Sequence, residues 1–183
     1  MKNQEQKSQT GEIKSIDSNR RRRGRPRKKQ PSENIDPDTL HRTILEVKKM
    51  SGAYAGGDLQ YDVRYIEAAR PRLLKSAGIS DSAEDDGHIR YDSKSVMNMT
   101  EKDRNVIRRY INAREAVAFL EKTIAEIPED KIREVAQATL LKGIRVADFA
   151  EQCGFSERTV RWRKHRALEH MAEQYLMTSM MRF

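Results

Sequence analysis

The stretch Val146-Ala-Asp-Phe-Ala-Glu-Gln-Cys-Gly-Phe-Ser-Glu-Arg-Thr-Val-Arg-Trp-Arg-Lys-His-Arg-Ala-Leu168 decides the fold. It reads as two short helices joined by a tight turn, the second rich in cations, which is how a helix-turn-helix looks in sequence. Val146, Phe149, Ala150 and Cys153 recur on one helical face. Gly154 supplies the positive φ that a sharp turn needs, and Ser156 can cap the next helix by accepting from its free amides. On that second helix Val160, Ala167, Leu168 and Met171 fall together on a side that can pack, at about 100° per residue. The opposite side collects Arg158, Thr159, Trp162, His165 and Arg166, with Arg161 on its flank. Arginine at a helix start can reach guanine edges or phosphates in a major groove. Together with Ser156, these residues form the predicted major-groove surface; the alternative is a solvated basic helix on an ordinary bundle.

The composition restricts what else the chain can do. Its 183 residues hold one modest domain with tails, or two small helical modules, and leave no room for a large catalytic core. Charged residues make up 35% and aromatics 6%, which describes a strongly solvated helical protein rather than a compact enzyme. The net charge of +8 is unevenly spread: residues 1–36 hold 11 Lys or Arg against 5 Asp or Glu, leaving 25 against 23 for the other 147. Cys153 is the only cysteine, so an intramolecular disulfide and a cysteine-rich zinc site are excluded, and a reducing compartment is expected. His41, His88, His165 and His170 do not form metal spacing with Cys153 or with paired carboxylates, and no glycine-rich phosphate loop is present. No enzyme activity, metal or cofactor is therefore expected. No apolar run approaches the roughly 18 residues that span a bilayer, and the N-terminus lacks the apolar core of a secretory signal. A soluble intracellular protein with no membrane partner is expected.

Along the chain the pattern is all-α. Residues 1–35 contain little that could form a core and are expected to be a disordered basic tail. Asp36-Pro37 should start a short helix with Leu40, Ile44 and Val47 on one face, followed by a flexible glycine-rich segment at 51–57. A second helix carries Leu59, Val63, Ile66, Leu73 and Ala77, and Pro71 should kink or divide it. Residues 78–99 read as a polar, acidic loop around Asp81-Ser-Ala-Glu-Asp-Asp-Gly87, without the ligand spacing of a calcium loop. Thr100-Glu-Lys-Asp103 resembles a capping box and opens the longest helix. There Val106, Tyr110, Ala113, Val117, Leu120, Ile124 and Ile127 follow steps of four and three, the spacing of an apolar seam. Its partner is either the internal helix of Leu59 to Ala77, giving a helical hairpin or coiled-coil-like middle over 36–127, or a second copy in a homodimer. Pro128 ends the helix, and Glu129 to Gly143, with Ile132, Val135, Ala136 and Leu140 on one side, supplies the first helix of a C-terminal module over 128–183.

The segment from Ile127-Pro-Glu-Asp-Lys-Ile-Arg-Glu to Ala167-Leu168 resembles the fourth conserved region of bacterial sigma factors, and more closely phage transcriptional regulators of the ArpU and RinA type. In the latter the preceding helix is similar to Arg114-Glu-Ala-Val-Ala-Phe-Leu-Glu-Lys-Thr-Ile124, and the recognition helix opens with a run like Ser156-Glu-Arg-Thr159 and ends near Arg166-Ala-Leu168. The resemblance covers roughly residues 58–171. It implies an all-α fold and control of transcription with host RNA polymerase, commonly of late or packaging-stage phage genes. It also implies a location in the bacterial cytoplasm, associated with the nucleoid. Two departures stand out. An apolar residue is usual where Arg163 stands, while the aromatic here is Trp162, which then either meets DNA or packs on a neighbouring helix. Ile144-Arg145 also offers no Ser or Thr cap to the helix that follows.

In the tail, Arg20-Arg-Arg-Arg-Gly-Arg-Pro-Arg-Lys-Lys29 contains a core, Arg23, Gly24, Arg25 and Pro26, followed by Arg27, that resembles an AT-hook. Gly24 lets the backbone approach a groove floor, Pro26 favours an extended path, and Arg23 and Arg25 can lie along a narrow A·T minor groove. Eight cations in ten residues would also bind any polyanion by counterion release, so a sequence-blind polybasic arm is the competing reading. The expected partner is double-stranded DNA and the expected function sequence-specific transcription regulation. A small-terminase-like packaging protein and an architectural DNA-binding protein are the alternatives.

Overall fold

The computed structural model describes residues 35–79 and 89–180, and every regular element among them is helical. The N-terminal tail with Arg23, Gly24, Arg25, Pro26 and Arg27, the acidic run at 81–87, His88 and residues 181–183 lie outside the described residues. Among the described residues no helix is long and apolar enough to cross a membrane.

Helix α1 (Pro37–Ala55) starts where aspartate and proline require it. Asp36 Oδ2 accepts from both the amide and the hydroxyl of Thr39 at 2.9 Å, and Pro37, with no amide to satisfy, occupies the first turn. The helix is longer than its sequence suggests: the segment expected to be flexible from residue 51 is helical as far as Ala55. Tertiary contacts explain this. The buried Ser51 hydroxyl donates to the Val47 carbonyl at 2.9 Å, Tyr54 donates to Glu121 at 2.6 Å, and Ala55 lies over Gly143. These contacts outweigh the weak helix propensity of Gly52. Only Gly56 and Gly57 turn the chain, the latter at φ 82°.

Pro71 divides the next apolar run into α2 (Asp58–Ala69) and α3 (Pro71–Ser76), with Arg70 at φ −134° between them. The region read as a loop over 78–99 contains a further helix, α4 (Ser93–Met97), which corrects that expectation. Asp92 caps it by accepting from the Lys94 amide and the Ser95 hydroxyl, and the Asp92 amide donates to the Ala77 carbonyl at 2.8 Å, tying α4 back to the end of α3.

Helix α5 (Glu101–Ala125) is the longest, and Thr100 caps it by accepting from the Asp103 amide at 3.2 Å. Its seam serves two cores in succession. Ile107 and Tyr110 pack with Ile66, Leu74 and Ala77 of α2 and α3. Leu120, Ile124 and, just beyond the helix, Ile127 then pack with Val47 of α1 and with residues of the C-terminal helices. Tyr110, Ala113, Leu120, Ile124 and Ile127 are buried as the seam requires, but Ile107 is buried where Val106 was expected, and Val106 and Val117 are only half-buried. A straight helix drifts by about 20° per heptad against a strict seven-residue repeat, so a seam read as heptads misassigns its ends. The seam is core within one chain. Leu120 is 0% exposed, so its packing partners are internal.

Helix α6 (Asp130–Ala136) continues into a π-helical turn at Gln137–Leu141, closed by the Lys142 amide donating to the Gln137 carbonyl at 3.0 Å. Gly143, at φ 68°, ends it. Ile132, Ala136 and Leu140 meet Val47 and Leu120 in the second core, so residues on both sides of position 127 build one folded unit.

Candidate nucleic-acid interface

Two helices present the candidate surface: α7 (Val146–Cys153) and α8 (Glu157–Met180). Helix α7 has no side-chain cap, as Ile144-Arg145 led one to expect. Arg145 instead reaches forward to Asp148, with Nε donating to Oδ2 at 2.8 Å and Nη2 to Oδ1 at 2.9 Å. The guanidinium holds the Asp148 carboxyl below the usual carboxylate range, and the carboxylate raises Arg145 in turn.

The turn between the helices is set by hydrogen bonds and one glycine. Gly154 sits at φ 66°, ψ 25°; its amide donates to the Glu151 carbonyl at 3.3 Å and the Phe155 amide to the Ala150 carbonyl at 2.9 Å. This is a Schellman arrangement, in which a left-handed residue lets two amides beyond the helix satisfy its last carbonyls. Ser156 Oγ then accepts from the Thr159 amide at 3.1 Å and lies 2.8 Å from the Thr159 hydroxyl, starting α8 as predicted. Beneath the turn a small core of Val135, Ala138, Phe149, Ala150 and Val160 fixes α7 and α8 against the π-helical turn.

The two faces of α8 separate as the sequence predicts. Val160, Ala167, Leu168 and Met171 are buried. Ser156, Arg158, Arg161, Trp162 and His165 are exposed, and Thr159 and Arg166 are half-buried. Trp162 is 55% exposed and faces outward. The structure also explains Arg163. Its guanidinium carbon lies 4.3 Å from the centroid of the Phe155 ring, a cation–π stack that seats the side chain against the turn. Arg163 Nη1 is buried with no hydrogen-bond partner among the described residues.

Three features escaped the sequence reading. Helix α8 does not end near residue 168 but continues to Met180, with Met171, Ala172 and Leu176 buried. At about 1.5 Å per residue its 24 residues extend for about 36 Å. Second, two arginines of the outward face have acidic partners on the same helix, Arg161 with Glu157 and Arg166 Nη1 with Glu169 at 2.6 Å, and His165 Nε2 lies 3.3 Å from Glu169. Arg158 has no such pair among the described residues. Spacings of three and four between these residues were a usable signal for the pairs. Third, Lys164 is half-buried, and burial, reinforced by the charge of Lys48, pushes its ammonium below the usual lysine range.

Among the described residues no group of three or more His, Cys, Asp or Glu could hold a metal ion. Compared with protein-family models, curated proteins and solved structures, the chain matches none.

Proposed function

We propose that this chain is a sequence-specific double-stranded-DNA-binding protein that regulates transcription, with α8 as its recognition helix. The observation that carries this reading is the turn at Gly154, which sets α7, anchored by buried Phe149 and Ala150, against an α8 whose opposite face exposes Arg158, Arg161, Trp162 and His165. An arginine free of acidic partners in the first turn of such a helix is where a bidentate contact to guanine O6 and N7 can be made. Trp162, one turn on from Arg158, offers an apolar edge to a thymine methyl or a sugar. Geometry supports the DNA half of the proposal. The transcription half, including action with host RNA polymerase on late phage genes, is supported by the resemblance to phage regulators. The basic tail adds phosphate contacts, and Arg23 and Arg25 are proposed to enter an A·T-rich minor groove beside the main site.

The test is binding of wild type and Arg158→Ala to a duplex selected by the wild type from random sequence and to its scrambled counterpart. A base contact predicts a loss of about 1–3 kcal/mol on the selected duplex and little on the scrambled one. Equal losses would make Arg158 a phosphate contact. No loss on either would reject this face. Footprinting with transcription in a defined polymerase system then separates a regulator, which changes transcript output from discrete sites, from a packaging or architectural protein.

A further inference from the structure

We infer that Glu169 is a specificity gate on α8, holding Arg166 and His165 so that binding through phosphates alone is penalised more than binding to a matched site. This rests on the DNA-binding reading above. Glu169 lies three and four residues beyond Arg166 and His165, so all three side chains share one helical face. One carboxylate serves both: Oε2 accepts from Arg166 Nη1 at 2.6 Å, and Oε1 lies 3.3 Å from His165 Nε2. Its side chain is 27% exposed, as is fitting for a carboxylate held between two partners.

The position of this carboxylate gives it a second effect. Helix α8 is about 36 Å long at ~1.5 Å per residue, far more than the few N-terminal turns that a recognition helix places on base edges. Along its outward face Arg158, Arg161, Trp162, His165 and Arg166 come first, and Glu169 and Glu173 follow. The acidic residues mark where the cationic face ends. A phosphate approaching Arg166 or His165 must displace Glu169 and meets its negative charge. Non-specific binding, which depends on the phosphate backbone alone, bears that cost in full. A matched site, held through base contacts from Arg158 in the first turn of α8, leaves the Glu169 pairs in place and so does not bear that cost.

The experiment compares wild type, Glu169→Gln and Glu151→Gln on the selected and scrambled duplexes across a salt series, with circular dichroism to confirm folding. Glu151 is exposed on α7, so its substitution removes the same charge from a different helix. Glu169→Gln is expected to bind the scrambled duplex several-fold more tightly, with log affinity steeper against log salt by up to about 0.9 for each further phosphate neutralised. Affinity for the selected duplex should rise less, so the ratio between the two falls. An unchanged ratio, an equal increase from Glu151→Gln, or weaker binding of Glu169→Gln to the selected duplex would each overturn the gate; the last would make Glu169 a base contact. If wild type itself selects no sequence and binds no duplex, the DNA-binding reading fails instead.

Discussion

Replacing Gly154 by alanine isolates the backbone conformation on which the turn depends. At φ 66° an L-residue pays about 1–2 kcal/mol for the left-handed region, while loss of glycine's freedom in the unfolded chain offsets about 0.4–1 kcal/mol. Nothing lies within 4 Å of where the new Cβ would sit, so no steric cost is added. The net expectation is destabilisation by roughly 1 kcal/mol, or a fall in Tm of about 2–4 °C for a unit of this size. Gly143 provides the contrast. It has nearly the same φ, 68°, but its added Cβ would meet Ala55 Cβ at 3.3 Å, where α1 crosses the end of the π-helical turn. Gly143→Ala should therefore cost the same conformational term plus roughly 1 kcal/mol or more of crowding. Urea denaturation of the two variants and of Gly154→Asn gives the comparison, and asparagine, which tolerates this conformation, should lie between wild type and Gly154→Ala. A Gly154→Ala protein as stable as wild type, or less stable than Gly143→Ala, would refute the reasoning.

Other parts of the molecule lead to three further expectations. Leu120→Ala should destabilise the chain by about 2–5 kcal/mol, and Leu120→Lys should unfold it without first dissociating an oligomer, as light scattering with circular dichroism would show. Because Arg145 lowers the folded-state pKa of Asp148, the contribution of this pair to stability is present above the unfolded value and is lost as pH falls through the lower folded one; NMR titration should find the Asp148 carboxyl below the ordinary aspartate value of 3.8 in wild type and moving upward in Arg145→Ala. Deleting residues 20–29 removes eight cations and should weaken DNA binding and flatten its salt dependence, more on A·T-rich than on G·C-rich flanks, while preserving site preference.

What could be read from the sequence was what one residue type dictates locally. Gly154 and Ser156 declare the turn, Asp36-Pro37 a helix start and Pro71 a break, because each has a backbone requirement that few other residues meet. What escaped was decided by contacts remote in sequence. Residues 51–55 stay helical because Ser51 is buried and Ala55 rests on Gly143, neither of which local propensity reveals. Helix α4 depends on Asp92 being tied to Ala77. No residue in Gln137–Leu141 marks a π-helical turn; the wider turn goes with the packing of Ala138 and Leu140 into two different cores. On the candidate surface the exposed cations were legible from the helical period. Their restraint by Glu157 and Glu169 is visible in the sequence only as a spacing of three and four, which permits an ion pair without requiring one.

The central claim, that the outward face of α8 meets DNA, is tested most directly by the fluorescence of Trp162, the only tryptophan in the chain. Titration with the selected duplex should quench or shift the Trp162 emission in step with the anisotropy of a labelled duplex, and Arg158→Ala should move both curves together. Duplex binding seen by anisotropy with the Trp162 emission unchanged would place the DNA elsewhere and contradict the account.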